Sequence, residues 1–275
     1  MRGCAHVDSL LFGLSGLALG VVGAVPTAML VMDRFSGVRD LRKLLDLGPH
    51  KRVEILVTSS GSGISRVGPK DASLRAKRIL VPSGDLAGVA DLSVMLSRAY
   101  PRKTFIITPS ARTRVDRNAD NFVVGGPIHN EYAARLVRGD DGQGLVGLEV
   151  FMDADKRHIV FGRHELGPDL DLGFKDNVPA LDYGRILLTR VATQGNKGKG
   201  THRVLVAGGL TTYGTHAAAH FAAYQLASYA KSHGFSKAPN VYVLIKGEFV
   251  NGEPYDVRAV DHIIEAPDLS TRGRG

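Results

Sequence analysis

Two stretches of the chain share one grammar, an apolar strand, a Gly-Gly turn and then a helix: NFVVGGPIHNEYAARL over residues 121–136 and RVLVAGGLTTYGTHAAAHFAAY over residues 203–224. Glycine lets a ligand approach the backbone, and the free N–H groups of a helix start attract anions. In open α/β sheets the binding crevice lies beyond the carboxyl ends of the strands, where both turns would fall. These residue types point to a phosphate- or nucleotide-type site. Gly125, Gly126, Pro127 and Asn130 belong to the first turn, and Gly208, Gly209, Gly214 and Thr215 to the second, with Asn130 and Thr215 as polar contacts. A bare strand-to-helix turn would ask for the same glycines on steric grounds; it is their repetition in one domain that favours a ligand. A third glycine-serine run follows another strand and adds Ser60, Gly61 and Ser62, with Arg66 or Lys70 available to a phosphate. It does not complete G-x-G-x-x-G, because residue 66 is Arg. Asp182 and Tyr183 open a further strand, where Asp182 either contacts a ligand or caps a turn.

Other chemistries find less support. The run from Gly195 to Thr201 imitates a phosphate loop, but Thr193 stands where the first glycine is required and Gly200 where Ser or Thr is required. His216 and His220 are four apart on an expected helix and share a face, yet no H-E-x-x-H and no nearby cysteine accompany them, so they read as structural and no metal set is assigned. His129, Glu131 and Asp182 are the only acid–base candidates, without a convincing pair. No G-x-S-x-G supports a serine nucleophile, and no motif calls for a cofactor. The single cysteine, Cys4, excludes an internal disulfide.

The elements that must hold these residues follow from periodicity. Arg52–Thr58, Arg78–Pro82, Thr104–Thr108, Asn121–Val124, Asp182–Arg190 and Val204–Ala207 read as strands. Leu86, Val89, Leu92, Met95 and Leu96 recur at helical spacing up to Tyr100, so that 78–82, this helix and 104–108 form a βαβ unit. A helix is expected near 131–137 and another from about Thr215 to Lys231. Gly147–Met152 and His158–Phe161 flank Asp153-Ala154-Asp155 as an antiparallel hairpin, and 166–179 reads as a loop. Val241–Lys246 begins a last sheet segment, which 248–251 and 257–260 extend.

Ahead of this domain, Leu10–Met32 is uncharged over 23 residues, about 34 Å of helix and enough to cross a bilayer core. Cleavage as a signal peptide after Val22-Gly23-Ala24 is the weaker reading, since the apolar run continues through Met32. Gly16-x-x-x-Gly20 fits a helix-dimer face. Cations after the span, Arg34, Arg39, Arg42, Lys43, Lys51 and Arg52, against Arg2 before it, orient the carboxyl-terminal domain to the cytoplasm. In 33–48, Val38, Leu41, Leu44 and Leu45 share a face that would rest on an anionic lipid surface. The expected organisation is an anchor over 1–32, a basic amphipathic juxtamembrane segment over 33–51, a domain over 52–266 and a disordered tail over 267–275. The fold class is α/β, Rossmann-like: a mostly parallel sheet with helices on both faces, an inserted β-hairpin, and one preceding transmembrane helix.

Composition agrees with a folded core: 44% of residues are hydrophobic and 23% charged. The net charge of +8 reads as a basic, lipid-facing surface rather than as nucleic-acid binding, because no RNA-recognition motif or zinc finger accompanies it.

Three motifs in order resemble a poorly characterised bacterial group of Rossmann-like domains: Gly-Gly-Pro-x-x-Asn at 125–130, Asp-Tyr-Gly at 182–184 and Gly-Thr-x-Ala-Ala at 214–218. The resemblance covers roughly Arg52 to Ile264 and implies a domain that senses or binds nucleotide-like ligands. The group's Asn-Pro after the Asp-Tyr strand is replaced here by Ala192-Thr193-Gln194. Taken together the expected function is a membrane-anchored, cytoplasmic-facing sensor of a nucleotide or other phosphorylated small molecule, dimeric through its anchor if the glycine face is used. A nucleotide-processing hydrolase or glycosyl-transferring enzyme and a non-catalytic interaction module are the alternatives.

Overall fold

The computed structural model describes residues 37–48, 52–64, 77–110, 119–126, 130, 132–133, 159–161, 164–167, 180–192, 201–235, 238 and 240–265. A short helix α1 (37–45) precedes strands β1 (Arg52–Val57), β2 (Ser60–Ile64) and β3 (Lys77–Leu80), helix α2 (Ser83–Ala99), and strands β4 (Thr104–Pro109) and β5 (Asp120–Val124). There follow the short strands β6 (Ile159–Phe161) and β7 (His164–Leu166), then β8 (Ala180–Ala192), β9 (Thr201–Gly209), helices α3 (Thr212–Tyr224) and α4 (Leu226–Ser232), and strands β10 (Asn240–Val250) and β11 (Glu253–Glu265).

Seven strands form one sheet in the order β11-β10-β8-β9-β5-β1-β4. Neighbours from β9 to β4 run parallel, and each neighbouring pair from β9 to β11 runs antiparallel. The expectation of a mostly parallel Rossmann-like sheet is therefore corrected to a mixed one. The reason lies in connection length. β8 returns directly into β9 across residues 193–200, and β10 turns into β11 through Asn251 and Gly252, which hold φ of 54° and 85°. Two successive left-handed residues make the tight hairpin turn whose twist matches that of the strands, and Asn-Gly is its preferred sequence. The parallel return from β1 to its neighbour β4 carries α2.

The expected βαβ unit is corrected as well. β3 does not join the main sheet; it pairs antiparallel with β2 in a separate ribbon, and the parallel neighbour of β4 is β1. Of the expected inserted hairpin, 159–161 form β6, which pairs antiparallel with β7, while 147–152 lie outside the described residues.

Alternation along the strands divides the core in two. Val53, Ile55, Val57, Phe122, Val124, Ile186, Leu205, Ala207, Val243 and Ile245 meet the apolar residues of α1 to α4 on one face. On the other face Leu56, Val123, Leu187, Val206 and Leu244 pack with Ala133 and Phe161, flanked by Tyr132 and Leu166. Helices on both faces were expected; among the described residues α1 to α4 lie on the first, and the helical residues 132–133 lie on the second.

α1 is the amphipathic segment expected to lie on lipid. Leu41, Leu44 and Leu45 are instead buried in the core of the first face. Burial of these side chains contributes about 1.5–3 kcal/mol per leucine to holding α1 there. Its end is fastened by Asp120, which accepts from Gly48 N and Arg203 N at 2.9 and 2.8 Å, and by Arg203, which donates to Leu44 O at 2.6 Å. Among the described residues no helix is long and apolar enough to cross a membrane; Leu10–Met32, the expected span, lies outside them.

Candidate functional site

β9, β5 and β1 are adjacent and parallel, so the three glycine-bearing segments that follow them emerge at one edge of the sheet. The two Gly-Gly turns touch. Gly125 N donates to Ala207 O at 2.8 Å, and a Cβ added to Gly208 would lie 2.9 Å from Gly125 O. Gly125 has φ of +122°, and a Cβ there would fall 1.6 Å from Thr58 Oγ1. Only glycine accepts both the dihedral and the contact. β1 and β5 then send the chain to opposite faces, β1 toward α2 on the first and β5 toward the helix start at Asn130 on the second. Adjacent parallel strands that diverge in this way open a crevice beyond their carboxyl ends.

The donors at this edge are not those expected. Asp182 is fully buried, and its Oδ2 accepts from Gly214 N at 2.7 Å and from the Thr211 hydroxyl at 2.6 Å, while Oδ1 accepts from Tyr183 N at 2.7 Å. Thr211 caps α3, its Oγ1 accepting from Tyr213 N at 3.1 Å. The Asp182 carboxylate thus occupies the place an incoming phosphate would take at the α3 start. Burial raises its pKa; the Thr211 hydroxyl and the backbone amides of Tyr183, Gly214 and Thr211 offset part of that rise. A second buried carboxylate, Asp85 in the first turn of α2, accepts from the Thr212 hydroxyl at 3.2 Å and ties the two helix starts together.

The expected ligand residues therefore divide as follows. Thr215 accepts from Gly209 N and donates to Thr211 O, both at 3.1 Å, which makes it a structural clasp. Asn130 is fully buried and its Oδ1 accepts from the amides of Tyr132 and Ala133 at 3.1 Å, so it caps the helix it begins. Gly209 and Gly214 lie backbone to backbone, Gly214 approaches Tyr183 O, and Gly126 packs on Gly209 O. Tyr183 is half-buried and its carbonyl accepts from Leu210 N. Ser60, Gly61 and Ser62 belong to β2, where Ser60 pairs with Leu80 of β3 and Gly61 and Ser62 fall at a break in the register. Pro127, His129, Glu131, Arg66 and Lys70 lie outside the described residues.

Two residues the sequence reading passed over stand out. Arg185 pairs with Gly208 across β8 and β9 and so projects on the same face, the second, as Leu187. The residue keeps some exposure along its length, but its Nη2 is shut off from solvent and has no hydrogen-bond partner among the described residues. Burial pushes the guanidinium down to about 10, partly countered by Tyr242; it stays charged at neutral pH. The signal was legible: a cation inside an apolar strand run.

The other is Asp91. Gly88 lets α2 approach α3 closely, since a Cβ there would lie 2.8 Å from that of Ala219. One turn on, Asp91 Oδ2 lies 3.4 Å from His216 Nε2 and 3.1 Å from His220 Nδ1, and its Oδ1 accepts from the Tyr224 hydroxyl at 3.1 Å. The three potential ligand atoms lie within 4.8 Å of one another. Burial would raise the Asp91 pKa, but hydrogen bonds from His216 and His220, the charge of His220 and the Tyr224 hydroxyl outweigh it and hold the carboxyl well below the usual range. The two histidines, read from the sequence as structural, thus face a carboxylate that spacing within one helix could not disclose.

No protein-family model, no curated protein and no solved structure matches this chain.

Proposed function

We propose that this chain is a binding domain for a nucleotide or another phosphorylated small molecule, whose anionic group pairs with Arg185 at the glycine-lined carboxyl edge. The observation that carries the reading is the enclosed Nη2 of Arg185, which has no partner among the described residues. An uncompensated buried charge is costly, and an oxyanion accepting from the guanidinium relieves that cost. Support comes from its surroundings: Gly208 faces it across the β8–β9 pair, the Gly125-Gly126 turn passes over Gly208, and β1 and β5 diverge beside them. The resemblance of the three glycine and Asp-Tyr-Gly motifs to nucleotide-sensing domains points the same way.

The mode of recognition differs from amides at a helix start. Asp182 and Thr211 already engage the first amides of α3, and two buried carboxylates on that side repel a phosphate. The ligand is therefore oriented from the second face, by a cation.

The test is thermal unfolding of the full chain with nucleoside mono-, di- and triphosphates and with inorganic phosphate, followed by product analysis for any stabilising compound. A binding domain is stabilised by at least one of them without turnover; at one hundred times Kd the shift corresponds to about 2.7 kcal/mol. Turnover would make it an enzyme on the same ligand, and no response from any phosphorylated compound would contradict the reading.

A further inference from the structure

We propose that Asp91, His216 and His220 form a binding site for one divalent transition-metal cation, Zn2+ above all, in the seam between α2 and α3. It is separate from the Arg185 site and independent of the function proposed there. Two imidazole nitrogens and one carboxylate oxygen are a donor set for borderline cations and too rich in nitrogen for Mg2+ or Ca2+. The spacing fits. Bonds of about 2.0–2.1 Å in a tetrahedron put ligand atoms roughly 3.3–3.4 Å apart, and the two measured edges to Asp91 Oδ2 are 3.4 and 3.1 Å. The third edge, between the two imidazole nitrogens, is no longer than 4.8 Å, and the His220 side chain is 29% exposed.

The surroundings supply what such a site needs. The i, i+4 spacing on α3 puts both imidazoles on one face, and the Gly88–Ala219 contact fixes the distance to α2. The Tyr224 hydroxyl binds Oδ1 of Asp91, which turns Oδ2 toward the histidines; outer-shell bonds of this kind orient a ligating carboxylate. His216 is braced on its inner side by Phe249, ring centroids 6.1 Å apart. His220 and Tyr224 lie at the solvent side, so the fourth position opens outward to water or an exogenous ligand.

A hydrogen-bonded trio without metal would have the same apo geometry, so the test reads the metal itself. Full-length, tag-free protein is stripped with EDTA and titrated with Co2+, then with Zn2+, following the visible bands of four-coordinate Co2+ and the bound metal per chain. The expected result is one Co2+ per chain, displaced by Zn2+, with a raised unfolding midpoint in Zn2+. His220→Ala and Asp91→Ala should each weaken binding at least 100-fold, and Tyr224→Phe, a change at a largely exposed hydroxyl, about 10-fold. Should Asp91→Ala fail to fold, His220→Ala and Tyr224→Phe carry the test, both lying at the solvent side. Binding unchanged in His220→Ala, a stoichiometry below one in the wild type, or the absence of tetrahedral Co2+ bands would each overturn the site.

Discussion

Gly125 shows how a single residue fixes the carboxyl edge. Its φ of +122° lies where side chains are strained, and Thr58 occupies the space a methyl group would need. Gly125→Ala should cost about 3 kcal/mol or more, read as a lower midpoint in denaturant. Asp91 makes a prediction of opposite sign to that of Asp182. A carboxyl whose folded pKa is depressed stabilises the fold above its unfolded value of about 3.9, and that stability is lost as pH falls below it. Asp91→Asn should therefore flatten the acid limb of the stability–pH curve below about pH 4. Asp182, raised by burial, binds its proton more tightly folded than unfolded, so its contribution falls as pH rises above about 3.9 and is constant once the folded pKa is passed. A stability curve measured from pH 3 to 7 on the wild type and on Asp91→Asn separates the two: if the variant keeps the wild-type acid limb, Asp91 is not the group that titrates there.

At the scale of elements, α1 is the clearest case of tertiary packing deciding what local sequence leaves open. Its cations and apolar stripe suit a membrane surface or a protein core equally, because both present an apolar half-space to one helix face. The core has it here, through Leu41, Leu44 and Leu45 and the Asp120–Arg203 clasp. Leu44→Ala should cost about 2–5 kcal/mol. Asp120→Ala leaves the buried Arg203 N and the partly buried Gly48 N without that acceptor and should cost roughly 2–4 kcal/mol. Both are read from denaturant unfolding, and a loss under 1 kcal/mol in each would show that α1 is not part of the cooperative unit. The seam between α2 and α3 was illegible for a related reason. Periodicity locates each helix and its buried side, but which helices meet, and hence that Asp91 faces His216 and His220, depends on the sheet order between them.

For the molecule as a whole, most strands of the main sheet could be read from their apolar runs, and β1, β4, β5 and β9 stand within a few residues of their expected bounds. Their directions could not. Ile186, Leu187 and Leu188 of β8 are buried alternately on the two covered faces of the sheet, like the strands of the parallel half, and an apolar run buried on both sides does not disclose its partner's direction. One antiparallel return does carry a local signal, Asn251-Gly252, which the sequence reading did not draw on. At the candidate site the glycines were legible from their motifs, but their contacts depend on which strands lie side by side: Asp182, Asn130 and Thr215 close backbone amides there, and Arg185 Nη2 is enclosed without a partner among the described residues.

That charge is the point on which the account rests, and Arg185→Met tests it most directly. Methionine fills similar space without the charge. Thermal unfolding of wild type and variant is compared with and without a nucleoside triphosphate at millimolar concentration. The account expects the unliganded variant to be more stable by about 1 kcal/mol or more, some 2–4 °C per kcal/mol for a domain of this size, and to lose the ligand-induced shift the wild type shows. A variant less stable than the wild type and equally stabilised by the ligand would contradict it.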